Sequence, residues 1–336
     1  MAEQQNKKAG STAASARKTA AAQTAGGSDG PADPPADWKP TPEAKAKATR
    51  FRWIAAILWA LAIAAEAVAI FWLLRQRQFV GQDGELLRNP DTGLLEQQGA
   101  TAQFPQWAFI ALIAAFVVIA ALSITGSFLW KKANRLDPAR RSDTVRFFVQ
   151  NQLGAIIAIL AFLPLIILVF LNKDMSKGQK TIAGIVGIAL AALAVVLGID
   201  FKPSSVEQYT ADQSTVIQLL GQDKVVWVDG GAVYHVCEEV SAIQTGSDKR
   251  TGTTAQAVEA GKTRLTLEFA SELRKCGLAV PENSAAIADA LRAIRDGKTD
   301  TTLPAPVWAN PADAPISIKD AKPAGSEPAP ASTPAN

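Results

Sequence analysis

WIAAILWALAIAAEAVAIFWLL, running from Trp53 to Leu74, is the stretch that decides the fold. Glu66 is its single ionisable residue; everything else in it is apolar. A helix rises about 1.5 Å per residue, so about 20 apolar residues cross the ~30 Å hydrocarbon core of a bilayer. Three further runs follow: Trp107 to Trp130, Leu153 to Leu171 with Pro164 inside it, and the shortest, Ile182 to Ile199. A spanning helix tolerates such a proline, because a local kink and neighbouring helices absorb the lost hydrogen bond. Trp53, Trp72, Trp107 and Trp130 sit at the ends of the first two runs, where indole rings favour the membrane interface. Four buried helices of a water-soluble core are the competing reading, which run length and end-placed indoles disfavour together. The expectation is an all-α transmembrane four-helix bundle over residues 50–199, with spans of about 53–74, 107–130, 153–171 and 182–199.

Outside those runs the composition changes. Hydrophobic residues make up 48% of the 336-residue chain and charged ones only 19%, and the apolar share concentrates between Phe51 and Gly198. Residues 1–49 and 298–336 are rich in Ala, Pro, Lys and Asp and poor in large apolar side chains, so both are read as disordered tails. A cleaved signal peptide is not expected, since the first apolar run follows about fifty polar residues and has full spanning length. A net charge of +3 without an Arg/Lys-rich recognition element gives no footing for nucleic-acid binding.

Positive charge sets the expected orientation. Lys45, Lys47, Arg50 and Arg52 precede the first run, and Lys131, Lys132, Arg135, Arg140, Arg141 and Arg146 fill the connection after the second. The connection from Arg75 to Gln106 carries only Arg75, Arg77 and Arg88, diluted by acids. The positive-inside rule puts both termini in the cytoplasm of a cell whose plasma membrane the chain crosses four times, with Lys173, Lys177 and Lys180 arguing mildly the other way. The Gly, Asp, Asn and Pro content of the first connection predicts a loop with turns.

From residue 200 to 297 the pattern becomes that of a small α+β domain. Ser205 with Gln208 resembles a capping box opening a helix that reaches Leu220. Val225–Val228, a turn at Asp229-Gly230-Gly231, and Ala232–Cys237 read as a β-hairpin. Thr253 with Gln256 is a second capping box, with Gly261 as the helix stop. Leu265, Leu267 and Phe269 alternate with Arg264, Thr266 and Glu268 as a strand would. Ile287, Leu291 and Ile294 form a helical apolar stripe between a Ser284 cap and Gly297.

Three features could carry chemistry. Glu66, alone in the middle of a span, should face the bundle, either as a proton or ion site or as a hydrogen bond to Ser123, Thr125 or a backbone carbonyl; the second reading is favoured. Ala183, Gly187 and Ala191 repeat at small-xxx-small spacing, suited to close helix packing within the bundle or against another membrane protein or a second copy. His235, the one histidine, shares a strand face with Cys237, and Cys276 lies further on. These three donors fall one short of a structural zinc set, so a buried thiol and a hydrogen-bonded histidine outweigh a metal site. Both cysteines are expected as free thiols if the domain is cytoplasmic; an outward-facing domain would permit a disulfide. Lys262 and Arg264 read as the solvated face of a strand. No phosphate-binding Gly-Lys-Ser/Thr loop, His-Glu-x-x-His or Gly-x-Ser-x-Gly is present, so no enzyme activity is expected.

The order Gly231-Ala232-Val233-Tyr234-His235, Gly252-Thr253, Ala257 through Ala260-Gly261-Lys262-Thr263-Arg264 and Cys276-Gly277 resembles the tail of uncharacterised actinobacterial polytopic membrane proteins. The likeness extends back through Trp130 to Asn134 and Asp200-Phe201. Related tails place a Cys after Tyr-His and close on Cys-x-x-Cys, which implies a zinc-knuckle ancestry; here the closing pair is missing and only Cys276 remains. The resemblance brings no established activity. The leading expectation is a non-enzymatic membrane anchor or accessory protein whose domain binds a partner or ligand. The alternatives are a small ion-coupled transporter or channel using Glu66, and a metal- or redox-responsive sensor using His235, Cys237 and Cys276.

Overall fold

The computed structural model describes residues 37–80, 86–88, 93–97, 101–239, 248–298 and 300–315, which belong to one compact unit. Four long helices form its first half: α1 (Pro42–Phe71), α2 (Gln106–Leu136), α3 (Thr144–Leu171) and α4 (Lys177–Gly198). All four are long and apolar enough to span a membrane. α2 packs against the other three, α1 chiefly against α2, and α3 chiefly against α4. Their shared core is aromatic and aliphatic, with Phe116 and Phe162 stacked at 6.2 Å and surrounded by Leu112, Ile119 and Leu165.

Helix α1 begins earlier than its apolar run. Thr41 caps it by accepting from Ala44 N, and Pro42 stands in the first turn, where a missing N–H costs nothing. Ala44 and Ala48 are buried against Ala133 and Leu136 of α2. The disordered tail expected over 1–49 is therefore corrected for residues 42–49; residues 1–36 lie outside the described residues. α2 likewise continues past Trp130 for more than a turn that carries Lys131, Lys132 and Arg135. The first connection holds two antiparallel pairs, β1 (Gln78–Val80) with β4 (Thr101–Gln103) and β2 (Leu86–Arg88) with β3 (Leu95–Gln97).

The C-terminal region contains α5 (Val206–Leu220), β5 (Val225–Val228), β6 (Val233–Tyr234), β7 (Lys249–Gly252), α6 (Thr254–Glu259), β8 (Arg264–Leu265), α7 (Phe269–Lys275) and α8 (Ser284–Arg295). Ser205 caps α5 through Gln208 N, and Gly221 ends it at φ +72°, a conformation favouring glycine. The Gln208 side chain leaves that cap and donates to Thr263 O. The Thr253–Gln256 capping box is complete. The expected hairpin is not a ladder: β5 pairs with β7, β6 pairs parallel with β8, and only Val226 and His235 bridge the two expected arms. The alternation after Thr263 yields two strand residues, because Phe269 opens α7. At α8 the cap position is Asn283, and Ser284 is the first helical residue. Part of the expected C-terminal tail is also ordered: Glu282 N donates to Val307 O at 2.8 Å, and Trp308 packs on the domain core.

This region is fastened to one end of the helices. Arg141, in the α2–α3 connection, donates to Ile294 O at 2.8 Å and Arg295 O at 2.9 Å, and its N–H meets the Glu207 carboxylate. Tyr209 donates to Arg135 O, and Trp38 packs against the Tyr209 ring at 4.7 Å. The start of α1, the α2–α3 connection and the C-terminal region thus share one end. At the other, Asn172 donates to Leu74 O and Phe104 N donates to Asp174 O.

Candidate functional site

Glu66 is 5% exposed on the face of α1 turned into the bundle. Its Oε1 accepts from Leu165 N at 3.3 Å. Leu165 follows Pro164, whose ring pushes against the preceding turn and weakens the helix ladder there. The carboxyl thus accepts from α3 one residue beyond its proline. Neither expected side-chain partner contributes: Ser123 Oγ has no hydrogen bond among the described residues, and Thr125 is exposed. The backbone group engaged is an N–H, not a carbonyl. On this geometry Glu66→Gln, which keeps an acceptor oxygen, should melt in detergent close to the wild-type chain. Glu66→Leu should lose about 1 kcal/mol. Flux through reconstituted vesicles that disappears in Glu66→Gln, at unchanged stability, would favour the transport role instead.

The Ala183/Gly187/Ala191 ridge faces inward. Ala183 and Gly187 are buried, and Ala191 packs partly buried against the same core. A Cβ added at Gly187 would lie 2.8 Å from the Phe116 ring, and one at Gly184 would strike the Phe170 ring. The ridge thus serves contacts within this chain.

A disulfide joins Cys237 and Cys276, with Cα atoms 6.5 Å apart. This is the pairing expected of an outward-facing domain and not the free thiols expected of a cytoplasmic one, and it takes both sulfurs out of the metal set of His235, Cys237 and Cys276. A disulfide sulfur carries no thiolate charge to offer a metal. His235 is also committed: its Nδ1 lies 2.6 Å from Glu272 Oε1, while Glu272 Oε2 accepts from Val236 N at 3.1 Å. Both side chains are buried. One imidazole and one carboxylate, already bonded to each other, do not fit a zinc site in this oxidation state. Glu272 escaped the sequence reading, although it shares the inner face of α7 with Phe269 and Leu273.

Beside the disulfide lies an open hollow of about 330 Å³, lined by Val226, Val236, Cys237, Leu278 and Trp308 of the C-terminal extension. Its size sits at the low end of small-ligand pockets. The lysine read as solvated is not: Lys262 is 1% exposed, and its Nζ donates to the carbonyls of Asp229, Gly230 and Gly231 at 3.0–3.1 Å. Burial pushes its pKa down, and the Asp229 carboxylate opposes that. Lys262 is thus the clasp of the 229–231 turn, whereas Arg264 is exposed as expected.

Compared with protein-family models, curated proteins and solved structures, the chain matches none.

Proposed function

We propose that this chain is a multi-pass protein of a bacterial plasma membrane, a non-enzymatic anchor or accessory protein that holds a small binding domain at one membrane face. One observation supports it most. The outward faces of all four helices are apolar, with Ile57 and Leu61 on α1, Val117 on α2, Leu160 and Leu163 on α3, and Ile185 and Ile188 on α4 left exposed. Only 28–44% of the most apolar window of each helix is buried within the chain. Soluble monomers rarely leave so much contiguous apolar surface bare, whereas lipid tails would cover it. The binding role rests on the hollow beside Cys237 and on how firmly Arg141 and Tyr209 hold the domain to the bundle. The likeness to actinobacterial polytopic proteins agrees with this reading.

The cationic flanks argue that the domain end is cytoplasmic. The disulfide favours a second reading, in which that end faces outward into an oxidising compartment. Both readings meet one experiment on cells expressing the full chain. After alkaline carbonate washing the protein should remain in the membrane fraction; release into the wash would defeat the bilayer reading. A membrane-impermeant maleimide, applied to intact cells after a membrane-impermeant reductant, should leave Cys237 and Cys276 unlabelled if the domain is inside. Labelling of intact cells would reverse the orientation and leave the span assignment standing.

A further inference from the structure

The basic residues flanking the spans carry the orientation signal. Their arrangement in space suggests a second use. A cavity of about 690 Å³ opens where α1, the last turns of α2, the end of α4 and the end of α6 meet. Six cations line it, Lys47, Lys131, Lys132, Arg135, Lys202 and Lys262, against two carboxylates, Asp200 and Glu259.

Half of those cations are already engaged. Lys131 Nζ donates to Leu197 O at 2.7 Å and Ile199 O at 2.6 Å, closing the carbonyl end of α4. Lys262 clasps its turn, and Lys132 lies over the Phe51 ring at 5.2 Å. Both carboxylates are also in use, Glu259 accepting from Thr41 Oγ1 and Asp200 from Lys202 N. Lys47, Arg135 and Lys202 are exposed, and no hydrogen bond or ion pair engages their charged ends among the described residues. Three uncommitted cations from three separate elements therefore converge on one space large enough for a small polar group.

Its depth relative to the apolar band narrows the ligand. Exposed Trp53 marks the end of the apolar run on α1, and Lys47 lies six residues before it, about 9 Å further along the axis. Phe128, one turn before the α2 cations, and Phe201 both line the cavity and are 54% and 71% exposed. The lining thus sets two exposed aromatic rings beside its cations. A phosphodiester with acyl chains attached matches that lining, since the chains continue along the same surface that the outward faces of the helices present to lipid. Basic pockets between spanning helices are a recognised way of holding anionic headgroups.

We infer that this cavity binds the phosphate headgroup of an anionic glycerophospholipid from the adjoining leaflet, through Lys47, Arg135 and Lys202. The inference rests on the reading that the four helices span a bilayer.

The test uses the full-length chain, placed in nanodiscs of phosphatidylcholine alone or mixed with phosphatidylglycerol. Retained lipid is then read by native mass spectrometry. The wild-type chain should hold phosphatidylglycerol in preference to phosphatidylcholine. Each cation near an anionic headgroup is worth about fivefold in affinity, so neutralising Lys47, Arg135 and Lys202 together to Gln should weaken retention by about a hundredfold. Neutralising Lys173, Lys177 and Lys180 at the opposite end should leave it unchanged. Equal losses from the two triple variants would mean diffuse attraction and would overturn the site. Displacement of the lipid by glycerol phosphate, at equal molar amounts, would show that a soluble phosphate compound is the ligand and overturn the lipid assignment. If the first triple variant does not accumulate, Arg135→Gln alone should still cost about fivefold, and no loss from it counts against the site. Failure to enter nanodiscs would take down the bilayer reading and this one with it. Entry without lipid preference would take down only this one.

Discussion

Replacing Asp212 by Ala should unfold the C-terminal region while the four helices stay assembled. Asp212 is fully buried, and its carboxyl joins four elements. Its Oδ2 accepts from Tyr234 Oη at 3.0 Å and from Leu265 N at 3.0 Å, and its Oδ1 accepts from Arg295 Nη2 at 2.9 Å. Burial pushes the carboxyl above its ordinary range, while Arg295, the Leu265 N–H and the Tyr234 hydroxyl pull it back down. Three donors converge on the group, and a protonated carboxyl would set its own O–H against one of them, so the ionised form fits the site. Truncation to Ala leaves a guanidinium with 12% side-chain exposure and no counter-ion, together with two donors facing a gap. Breaking a buried pair in this way costs about 3–5 kcal/mol. That is a large share of the stability a small domain has, about 5–15 kcal/mol in ordinary cases. Limited trypsin digestion of the detergent-solubilised chain should then trim the C-terminal region and spare a fragment containing α1 to α4. Asp212→Leu combined with Arg295→Met should resist digestion better than Asp212→Ala, because it removes both charges and keeps the volume. Digestion of Asp212→Ala at the wild-type rate would show that the network is not what holds the region together.

Asp212 was readable in part. Tyr209, Asp212, Val216 and Leu219 fall on one face of α5, so an acid on an apolar stripe announced a buried charge. Its partners could not be read, because Arg295 stands 83 residues away and meets it only once α8 packs on α5. The same division runs through the rest of the molecule. Apolar runs of spanning length made all four helices visible, yet the true start of α1 was hidden, since a cap at Thr41 and small residues extend it through polar sequence. Local spacing suggested a hairpin after Val225, whereas β6 finds its ladder partner at Arg264, beyond the reach of any turn rule. Glu66 stands out as a lone intramembrane acid, but its partner, the Leu165 N–H, lies 99 residues away on another helix. With two cysteines only one pairing is possible, but sequence leaves open whether it forms, because that depends on the compartment and on the fold bringing Cys276 to Cys237 across 39 residues. The basic flanks were seen as a tally, not as three free cations around one cavity.

Small residues show the limit most clearly, and they lead to the second large effect. Spacing drew attention to Ala183, Gly187 and Ala191, but the tightest backbone approach is between Gly198 and Gly154. A Cβ at Gly198 would lie 2.6 Å from Ala155 N and 2.7 Å from the Gly154 carbonyl carbon, while one at Gly154 would lie 2.9 Å from Gly198 O. The obstacle is main chain, which cannot rotate aside as the Phe170 ring could at Gly184. Asp200 N donates to Asn151 O just beyond, and Lys131 holds the last carbonyls of α4, so this end of the helix has little freedom to retreat. Gly198→Val should therefore prise α4 from α3 at the end that carries the domain, costing about 1–3 kcal/mol or more. Gly178, in the first turn of α4, is the matched control, because a Cβ there meets nothing within 4 Å. Gly178→Ala should be neutral or slightly stabilising, since Ala favours the helix by up to about 1 kcal/mol over Gly. Thermal denaturation of the two variants in the same detergent makes the comparison. A clear drop in midpoint for Gly198→Val alone fits the close approach. Equal midpoints would mean that α3 and α4 do not touch there.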